Sequence, residues 1–373
     1  MRSKTGNTRA GGGRPRRIQL THTYDHIISV ENLLEAWKEF TRGKRKKRDV
    51  QEFQYRLIDN IFALHRDLKQ KTYTHGTYQH FKISDTKPRD IHKATVRDRL
   101  VHHAIYRILY PFFDRSFIAD SYSCRKDKGT HKAMNRSRAF AYKVSQNHTR
   151  TAWVLKCDIR KFFASIDQCI LLDILEKYIP NHDIRNLLKG IIESFCSCCA
   201  HDSHSHPYLS CAAAHYKYIH LNIAVADIKC MHVGLPLGNL TSQLLVNIYM
   251  NEFDQFVKHK LKAKYYIRYA DDFVIFSLIR QDLAEMLLRI EEFLTLRLNL
   301  LVHPHKVFIK TFASGVDFLG WVHFLNHRVL RTSTKRRMWR RLSDTDNDAV
   351  RESYQGMLKY GNAHTLASNI RIV

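Results

Sequence analysis

The stretch from Tyr265 to Ser277 constrains this chain most, because it sets two adjacent acids between two short runs of strand-forming residues. Residues 265–269 and 273–276 are rich in aromatic and β-branched side chains, which predicts a tight hairpin with Asp271 and Asp272 at its tip. Two carboxylates at one bend repel each other, so a divalent cation would help to keep both ionised. Mg²⁺ that also holds phosphates suits these hard oxygen ligands, which points to phosphoryl-transfer chemistry. An ordinary solvated turn is the alternative for an isolated Asp pair.

A third acid, Asp158, stands at the end of another apolar run. Residues 152–158 (Ala-Trp-Val-Leu-Lys-Cys-Asp) predict a buried strand that delivers one carboxylate where it ends. Together with Asp271 and Asp272, Asp158 would hold two Mg²⁺ ions. One ion would activate an attacking 3′-hydroxyl, and the other would stabilise the leaving pyrophosphate.

These residues carry a family resemblance. Tyr269-Ala270-Asp271-Asp272 resembles the catalytic box of reverse transcriptases, and residues 158–163 are similar to the first carboxylate motif of that family's palm. The resemblance implies an α+β, right-hand polymerase fold with fingers, a palm of antiparallel sheet packed on helices, and a helical thumb. It implies that Asp158, Asp271 and Asp272 are catalytic. The metal-binding positions that it implies are Asp158, Ile159, Asp271 and Asp272.

The charge balance favours a polyanionic partner. Lys and Arg number 61 against 35 Asp and Glu, a formal net charge of +26 over 373 residues. Nucleic acid is the first candidate, and a membrane surface is the alternative. No run reaches the roughly 18 apolar residues of a membrane-spanning helix, and the first residues lack the apolar core of a secretory signal. Eight cysteines in no regular framework, without an export signal, predict a reduced cytoplasmic location.

Four parts are expected along the chain. Residues 1–20 would form a flexible basic arm, residues 21–150 the N-terminal helices and fingers, residues 151–325 the palm with its primer-grip hairpin, and residues 326–373 the thumb. Residues 195–232, within the palm, are an insertion rich in Cys and His. This insertion is interpreted either as a loop stabilised by Zn²⁺ or as a plain polar loop.

Residues 74–99 alternate in places and are rich in turn formers, which predicts a β-rich finger followed by a helix. The resemblance implies that Lys87 and Arg89 clamp the incoming triphosphate, where cations neutralise charge on the transferring phosphates. Arg97 and Arg99 are second choices for this role.

A second finger motif spans residues 121–133. Its basic residues Arg125 and Lys128 would contact the template and primer backbone, and a solvated loop is the alternative. In the resemblance, the aromatic at Phe163 lies under the nucleotide sugar and favours deoxynucleotides, whereas Phe162 belongs to the core. An adjacent pair on one extended element points to opposite sides, so at most one of these rings can be the gate.

Residues 234–243 form the most discriminating motif, because most reverse transcriptases place Gln where this chain has Leu237. Leu237 followed by Gly238 is similar to the reverse transcriptases of diversity-generating retroelements, as are residues 127–133. Gly238 would let the backbone approach a base pair closely. Leu offers only a packing surface where a Gln amide would form hydrogen bonds, so reduced fidelity is expected. The resemblance implies misincorporation opposite template adenine.

Three further elements follow the hairpin. The resemblance implies that Lys306 lies near the triphosphate and that Gly320 belongs to the hairpin that grips the primer end. A basic helical segment would set its cations against the template and primer phosphates. These cations include Lys335, Arg336 and Arg340.

The resemblance as a whole implies an RNA-directed DNA polymerase that copies a retroelement's template RNA into mutagenised cDNA. Its expected partners are the template RNA, the cDNA or primer, dNTPs and a basic accessory variability protein that assembles into a ring. Two alternatives stay open: a reverse transcriptase used in antiphage defence, and a maturase-like RNA-binding protein without catalysis. The intact acids Asp158, Asp271 and Asp272 argue against the second of these.

Overall fold

Helices open the part of the chain that the structure describes. The computed structural model describes residues 18–84, 88–197, 232–344 and 347–370. The helices before the fingers are α1 (Tyr24–Ile28), α2 (Val30–Phe40), α3 (Arg48–Tyr55) and α4 (Leu57–Lys69). Ser29 Oγ accepts a hydrogen bond from Asn32 N and so fixes the start of α2. The apolar spacing at residues 53–68 predicts one helix, but the chain leaves helical geometry at Arg56, with φ −119° and ψ 42°, and forms two.

The fingers combine a ribbon of two antiparallel strands with two long helices. These elements are β1 (Gln79–Ser84), β2 (Pro88–Lys93), α5 (Val96–Asp114) and α6 (Thr130–Val144). In the ribbon, His80 lies opposite His92. The Thr95 side chain accepts a hydrogen bond from Asp98 N and begins α5. The predicted β-rich finger followed by a helix is therefore confirmed.

The palm is built on a four-stranded antiparallel sheet. Its strands are β3 (Trp153–Asp158), β4 (Tyr266–Tyr269), β5 (Asp272–Ser277) and β6 (Phe308–Thr311). They lie in the order β4-β5-β3-β6, so β3 and β5 are the central pair. Both central strands are apolar runs with four consecutive buried residues, which is what a strand covered on both faces requires.

Four helices share the main core with one face of this sheet. They are α7 (Gln168–Tyr178), α8 (His182–Glu193), α9 (Leu240–Gln255) and α10 (Arg280–Leu298). Leu155 and Phe273 enter the main core with these helices, whereas Val154 and Val274 enter a second apolar cluster. Side chains alternate along a strand, so Asp158 lies on the Val154 face and Asp272 on the Val274 face. The acids therefore project from the face of the second apolar cluster, where Phe140 and Ala141 of α6 pack against the sheet.

The thumb follows a small three-stranded sheet. The strands of this sheet are β7 (Val316–Phe318), β8 (Trp321–His323) and β9 (Arg328–Leu330). The thumb helices are α11 (Thr332–Ser343), α12 (Asp348–Leu358) and α13 (His364–Ile370). Trp321, Met338 and Leu358 share a third apolar cluster with Met134 of α6. The architecture is the expected α+β right-hand polymerase fold. Among the helices described, none is long and apolar enough to cross a membrane.

Candidate active site

A two-residue turn forms the tip of the β4–β5 hairpin. Tyr269 pairs with Asp272, so Ala270 and Asp271 make the turn and Asp272 is the first residue of β5. Ala270 has φ +56°, in the left-handed region that tight hairpins require at their first central position. An L-residue there costs about 1–2 kcal/mol, so surrounding contacts must hold this backbone in place.

Asp158 lies directly opposite Asp272 across the β3–β5 pair. Side chains at directly opposed positions lie on the same face, with Cβ atoms roughly 5 Å apart. The main chain links the third acid to this pair, because Ile159 N donates to the Asp271 carbonyl at 3.2 Å. Strands far apart in sequence thus bring all three predicted carboxylates to one end of the palm sheet.

Burial makes the carboxylates of Asp271 and Asp272 costly to ionise. Burial above all, together with the charges of Asp271 and Asp158, raises the pKa of Asp272 to about 7 against the opposing effect of Lys156. Burial followed by the charge of Asp158 raises the pKa of Asp271 above its ordinary value. The Oδ1 atom of Asp272 is buried and makes no hydrogen bond within the described chain. A cation at this end of the sheet would stabilise the ionised carboxylates, because its charge offsets both the cost of their burial and their mutual repulsion.

Two lysines reach the acids. Lys306 Nζ donates to Asp158 Oδ1 at 2.8 Å, and Lys156 Nζ lies 3.4 Å from Asp272 Oδ1. Lys306 therefore lies beside Asp158, and its role towards a triphosphate stays a prediction. Lys156 is a component that the sequence analysis did not identify. Its signal is a lysine in an otherwise apolar strand, two residues before Asp158 and so on the same face.

The donor chemistry of this site suits Mg²⁺, since carboxylate oxygens are its preferred protein ligands. Ile159 has a buried apolar side chain and can contribute only its main-chain carbonyl. Within the described ranges, no three Asp, Glu, His or Cys side chains already converge on a metal position. Most of the insertion for which Zn²⁺ was considered, residues 198–231, lies outside the described residues.

The loop that carries Leu237 is attached to the fingers ribbon. His92 N donates to the Leu237 carbonyl at 3.1 Å, and Asn239 Nδ2 donates back to the His92 carbonyl at 3.1 Å. Gly238 has φ +113°, and a Cβ there would lie 3.0 Å from Ile91 Cγ2. Glycine is therefore required here by backbone conformation and by the close approach of strand β2, in addition to the approach to a base pair expected from sequence.

Arg89 is the exposed cation of β2 whose charge lowers the pKa of Asp271 against the effect of burial. Lys87, its expected companion, lies outside the described residues. Arg97 and Arg99, the second choices for the clamp, pair with acids elsewhere. Arg97 Nη2 lies 2.7 Å from Asp67 Oδ2, and Arg99 Nη2 lies 2.5 Å from Asp49 Oδ2. Of the described cations proposed for the triphosphate clamp, Arg89 is thus the one whose charge reaches the site.

Phe162 and Phe163 lie on a short 3₁₀ turn, Phe162–Ser165, and not on the extended element assumed from sequence. Lys161, immediately before this turn, has φ +46°, so the extended backbone does not continue into it. Phe162 is buried in the main core, and Phe163 is half-buried and packs against that core. The Phe163 carbonyl also accepts a hydrogen bond from Leu235 N at 2.8 Å, which ties this turn to the loop before Leu237.

The structure corrects the role predicted for Arg125. Its guanidinium donates to Asp114 Oδ1 at 2.7 Å and to the Ile118 carbonyl at 2.7 Å, and its side chain is only 6% exposed. Oxygen atoms within the protein already accept the hydrogen bonds of the Arg125 guanidinium that a nucleic-acid phosphate would need. This geometry therefore does not present Arg125 to a template. Lys128 is half-buried and donates to the Ala119 carbonyl at 2.8 Å.

The residues expected to contact the primer and template, Gly320 and the cations of α11, are accessible. Gly320 has φ +85°, and a Cβ added there would meet no atom within 4 Å. On α11, Met338 and Leu342 are buried while the opposite face is exposed. Arg336 and Arg340 are exposed cations on that face, and Lys335 is an exposed cation in the first turn of the helix. In the portion of the chain that the structure covers, these three have no acid within salt-bridge distance.

A buried ion pair next to the Ala270–Asp271 turn was also missed from sequence. Arg268 and Asp254 have fully buried side chains, and Arg268 Nη2 lies 2.7 Å from Asp254 Oδ2. The available signal was an arginine within the otherwise apolar strand Tyr266–Tyr269. Without the partner helix, that arginine was indistinguishable from an exposed strand residue.

Comparison with known proteins identifies the family. The profile of the family described as reverse transcriptase (RNA-dependent DNA polymerase) matches residues 81–323, more than half of the chain. The chain is 24% identical to Protein YkfC of Escherichia coli over 292 residues, covering 68% of this chain and 66% of YkfC. It is 23% identical to the group II intron-encoded protein LtrA of Lactococcus lactis over 184 residues, covering 49% of this chain and 25% of LtrA.

A third relative is the mitochondrial nuclear intron maturase 1 of Arabidopsis thaliana, 23% identical over 168 residues, covering 45% of this chain and 22% of that protein. The chain thus spans about two thirds of YkfC and about a quarter of the two intron-related proteins. The profile match includes the palm sheet and all three acids, Asp158, Asp271 and Asp272. The chain therefore belongs to the reverse transcriptase (RNA-dependent DNA polymerase) family.

Proposed function

We propose that this chain is an RNA-directed DNA polymerase that copies a retroelement's template RNA into cDNA with frequent errors opposite adenine. The observation that carries the proposal is the pairing of Asp158 with Asp272 beside the Asp271 turn, in a chain that belongs to the reverse transcriptase family. Bound Mg²⁺ would supply activation of a primer 3′-hydroxyl and stabilisation of the pyrophosphate. Asp158, Asp271, Asp272 and the Ile159 carbonyl would hold it.

Cations of the chain would bind the triphosphate. The charge of Arg89 reaches Asp271, and Lys306 lies at Asp158, so both are near the transferring phosphates in this proposal. Fixed cations there neutralise charge that develops in the transition state. Phe163, half-buried next to the loop of Leu237, would contact the sugar and disfavour ribonucleotides.

The error-prone character of the proposed enzyme rests on Leu237. A leucine side chain cannot form the hydrogen bonds of the glutamine that most members of the family carry, so nucleotide selection would depend on shape alone. Sites that select by packing discriminate far less than sites that select by hydrogen bonds. The bias towards template adenine is carried by the resemblance to diversity-generating retroelements alone.

The proposed partners are template RNA, cDNA or primer, dNTPs and a basic ring-forming accessory variability protein. Exposed thumb cations such as Lys335 and Arg336 support a nucleic-acid partner, because phosphate contacts dominate nucleic-acid affinity. The accessory protein follows from the family resemblance.

Primer extension on an RNA template tests the polymerase activity. Asp271→Ala should abolish extension, because it removes one of the proposed metal ligands. Asp348→Ala, at a side chain that is 92% exposed on α12, is the matched control and should retain full activity. Equal extension by native protein and Asp271→Ala would refute the proposal.

A maturase-like RNA-binding protein without catalysis is the second candidate, favoured by relatives whose names describe an intron maturase and an intron-encoded protein. Loss of extension in Asp271→Ala from an active native chain would exclude it. The genomic neighbourhood separates the retroelement from antiphage defence. A template repeat beside a near-identical variable repeat in a target gene is expected for the retroelement.

A further inference from the structure

Arg268 lies at the centre of a fully buried polar cluster behind the catalytic turn. Its Nε donates to Asp254 Oδ1 at 2.8 Å and its Nη2 donates to Asp254 Oδ2 at 2.7 Å, so the two side chains form a bidentate pair. Tyr266 OH donates to the same carboxylate at 2.7 Å. Two strands pair through main-chain hydrogen bonds, so the hairpin does not need these side-chain hydrogen bonds in order to form.

The rest of the guanidinium reaches the turn itself. Arg268 Nη1 donates to the Ala270 carbonyl at 3.1 Å, and Nη2 donates to Ser121 Oγ at 3.1 Å. The Ala270 carbonyl belongs to the peptide unit that continues into Asp271. Ala270 is also the residue with φ +56°. The arginine therefore holds the one peptide plane that the left-handed residue and the catalytic acid share.

The cluster also joins three parts of the fold. Asp254 lies on α9, the helix that begins directly after the Leu237–Asn239 loop. The main chain of Arg268 forms hydrogen bonds with a segment of the fingers. Arg268 N donates to the Asp120 carbonyl at 3.0 Å, and Tyr122 N donates to the Arg268 carbonyl at 3.0 Å. The turn is thus fixed relative to the helix that follows the nucleotide-selecting loop.

We propose that Arg268 is a positioning residue for polymerisation, which holds the Ala270–Asp271 turn in its left-handed conformation and so sets the place of the Asp271 carboxylate. This inference rests on the polymerase activity proposed above. A planar fork is required, because one end must bind Asp254 while another nitrogen reaches the Ala270 carbonyl. The point charge of a lysine cannot do both.

Arg268→Lys tests this role, because lysine retains the charge opposite Asp254 but loses the fork. Its kcat should fall about 10- to 100-fold, the scale of a small misplacement of a reacting group, while template-primer Kd stays within about twofold. A readout independent of catalysis is the rise in Tm on adding Mg²⁺ alone, which should be smaller in the variant. A displaced Asp271 would bind the ion less tightly.

Two variants of the same cluster serve as matched controls. Ser121→Ala and Tyr266→Phe each remove one hydrogen bond of the cluster without removing the bond to Ala270. Both should retain kcat and the Mg²⁺-dependent rise in Tm. If they lose activity as strongly as Arg268→Lys does, the cluster contributes only general stability, and the positioning role is refuted.

A second variant covers the case in which Arg268→Lys does not fold. Arg268→Met combined with Asp254→Asn replaces the buried ion pair by neutral side chains, a change that buried pairs often tolerate, and the asparagine oxygen still accepts from Tyr266. A folded double variant with reduced kcat supports the inference, and one with native kcat overturns it. Failure of the native protein to extend any primer would instead refute the polymerase activity itself.

Discussion

Asp158 and Asp272 face each other across the β3–β5 pair, and each carboxylate has its own lysine. Lys156 Nζ lies 3.4 Å from Asp272 and its side chain is 8% exposed, whereas Lys306 Nζ lies 2.8 Å from Asp158 and its side chain is 36% exposed. The buried lysine is part of the sheet face and offsets the charge of Asp272. The accessible lysine is the one that an incoming phosphate could contact.

Leu237→Gln should lower misincorporation opposite template adenine about 10-fold, because an amide restores hydrogen-bonded selection where leucine only packs. Sequencing of cDNA made from one RNA template by native protein and variant measures the change. Leu237→Met, an apolar side chain of similar volume, is the control and should keep the native error spectrum. An unaltered spectrum in Leu237→Gln would show that other residues set fidelity.

Arg89→Gln should change the KM for dNTP, whereas Arg97→Gln should change Tm. Arg89 is exposed and its charge reaches Asp271, so its loss should raise the KM for dNTP about 10-fold through one missing phosphate contact. Arg97 lies 2.7 Å from Asp67, so its loss should lower Tm with little change in KM. Steady-state kinetics and thermal melts of both variants check this. A larger rise in KM for Arg97→Gln would reverse the assignment.

Neutralising the exposed cations of α11 should weaken template-primer binding in a salt-dependent way. Each of Lys335→Gln, Arg336→Gln and Arg340→Gln should reduce the slope of log K against log salt by about 1 if its cation contacts a phosphate. Fluorescence anisotropy across a salt series measures the slope. Lys38→Gln is the control, because Lys38 lies 2.6 Å from Glu35, and it should leave the slope unaltered.

Acidification should destabilise the fold through buried histidines of α5. Burial, followed by the charges of His75, His103 and Arg99, lowers the pKa of His102 to about 3. The folded pKa is below the ordinary value of 6.5, so the unfolded chain takes up the proton first as the pH falls. The free energy of unfolding should therefore decrease below pH 6.5, by about 2 kcal/mol between pH 6.5 and 5 for one such group.

His102→Gln should reduce that pH dependence, because an amide does not titrate. Denaturant unfolding at pH 5, 6.5 and 8 measures it, and the two proteins should show equal slopes between pH 7 and 8. His103 retains part of the acid sensitivity in the variant, since burial lowers its pKa to about 4. An undiminished loss of stability below pH 6.5 would contradict the prediction.

Local pattern was enough to predict the β4–β5 hairpin and its partner strand, β3. The runs around Asp271 and before Asp158 consist of strand-forming residues, and the buried strands β3, β4 and β5 form where those runs lie. The residues that hold the hairpin in place were not predicted. Arg268 and Lys156 are charged side chains within apolar strands, and their burial depends on Asp254 and Asp272, which are distant in sequence.

The sequence by itself determined the α+β fold class, the three acids and the likeness to reverse transcriptases, because strand periodicity and short motifs are properties of neighbouring residues. Only the tertiary structure decided which cations are available. Arg89 and Arg125 look equivalent as sequence, yet Arg89 is exposed and its charge reaches Asp271, whereas Arg125 is held by Asp114 and the Ile118 carbonyl. The physical reason is that a side chain's partners and burial are set by segments that meet only on folding.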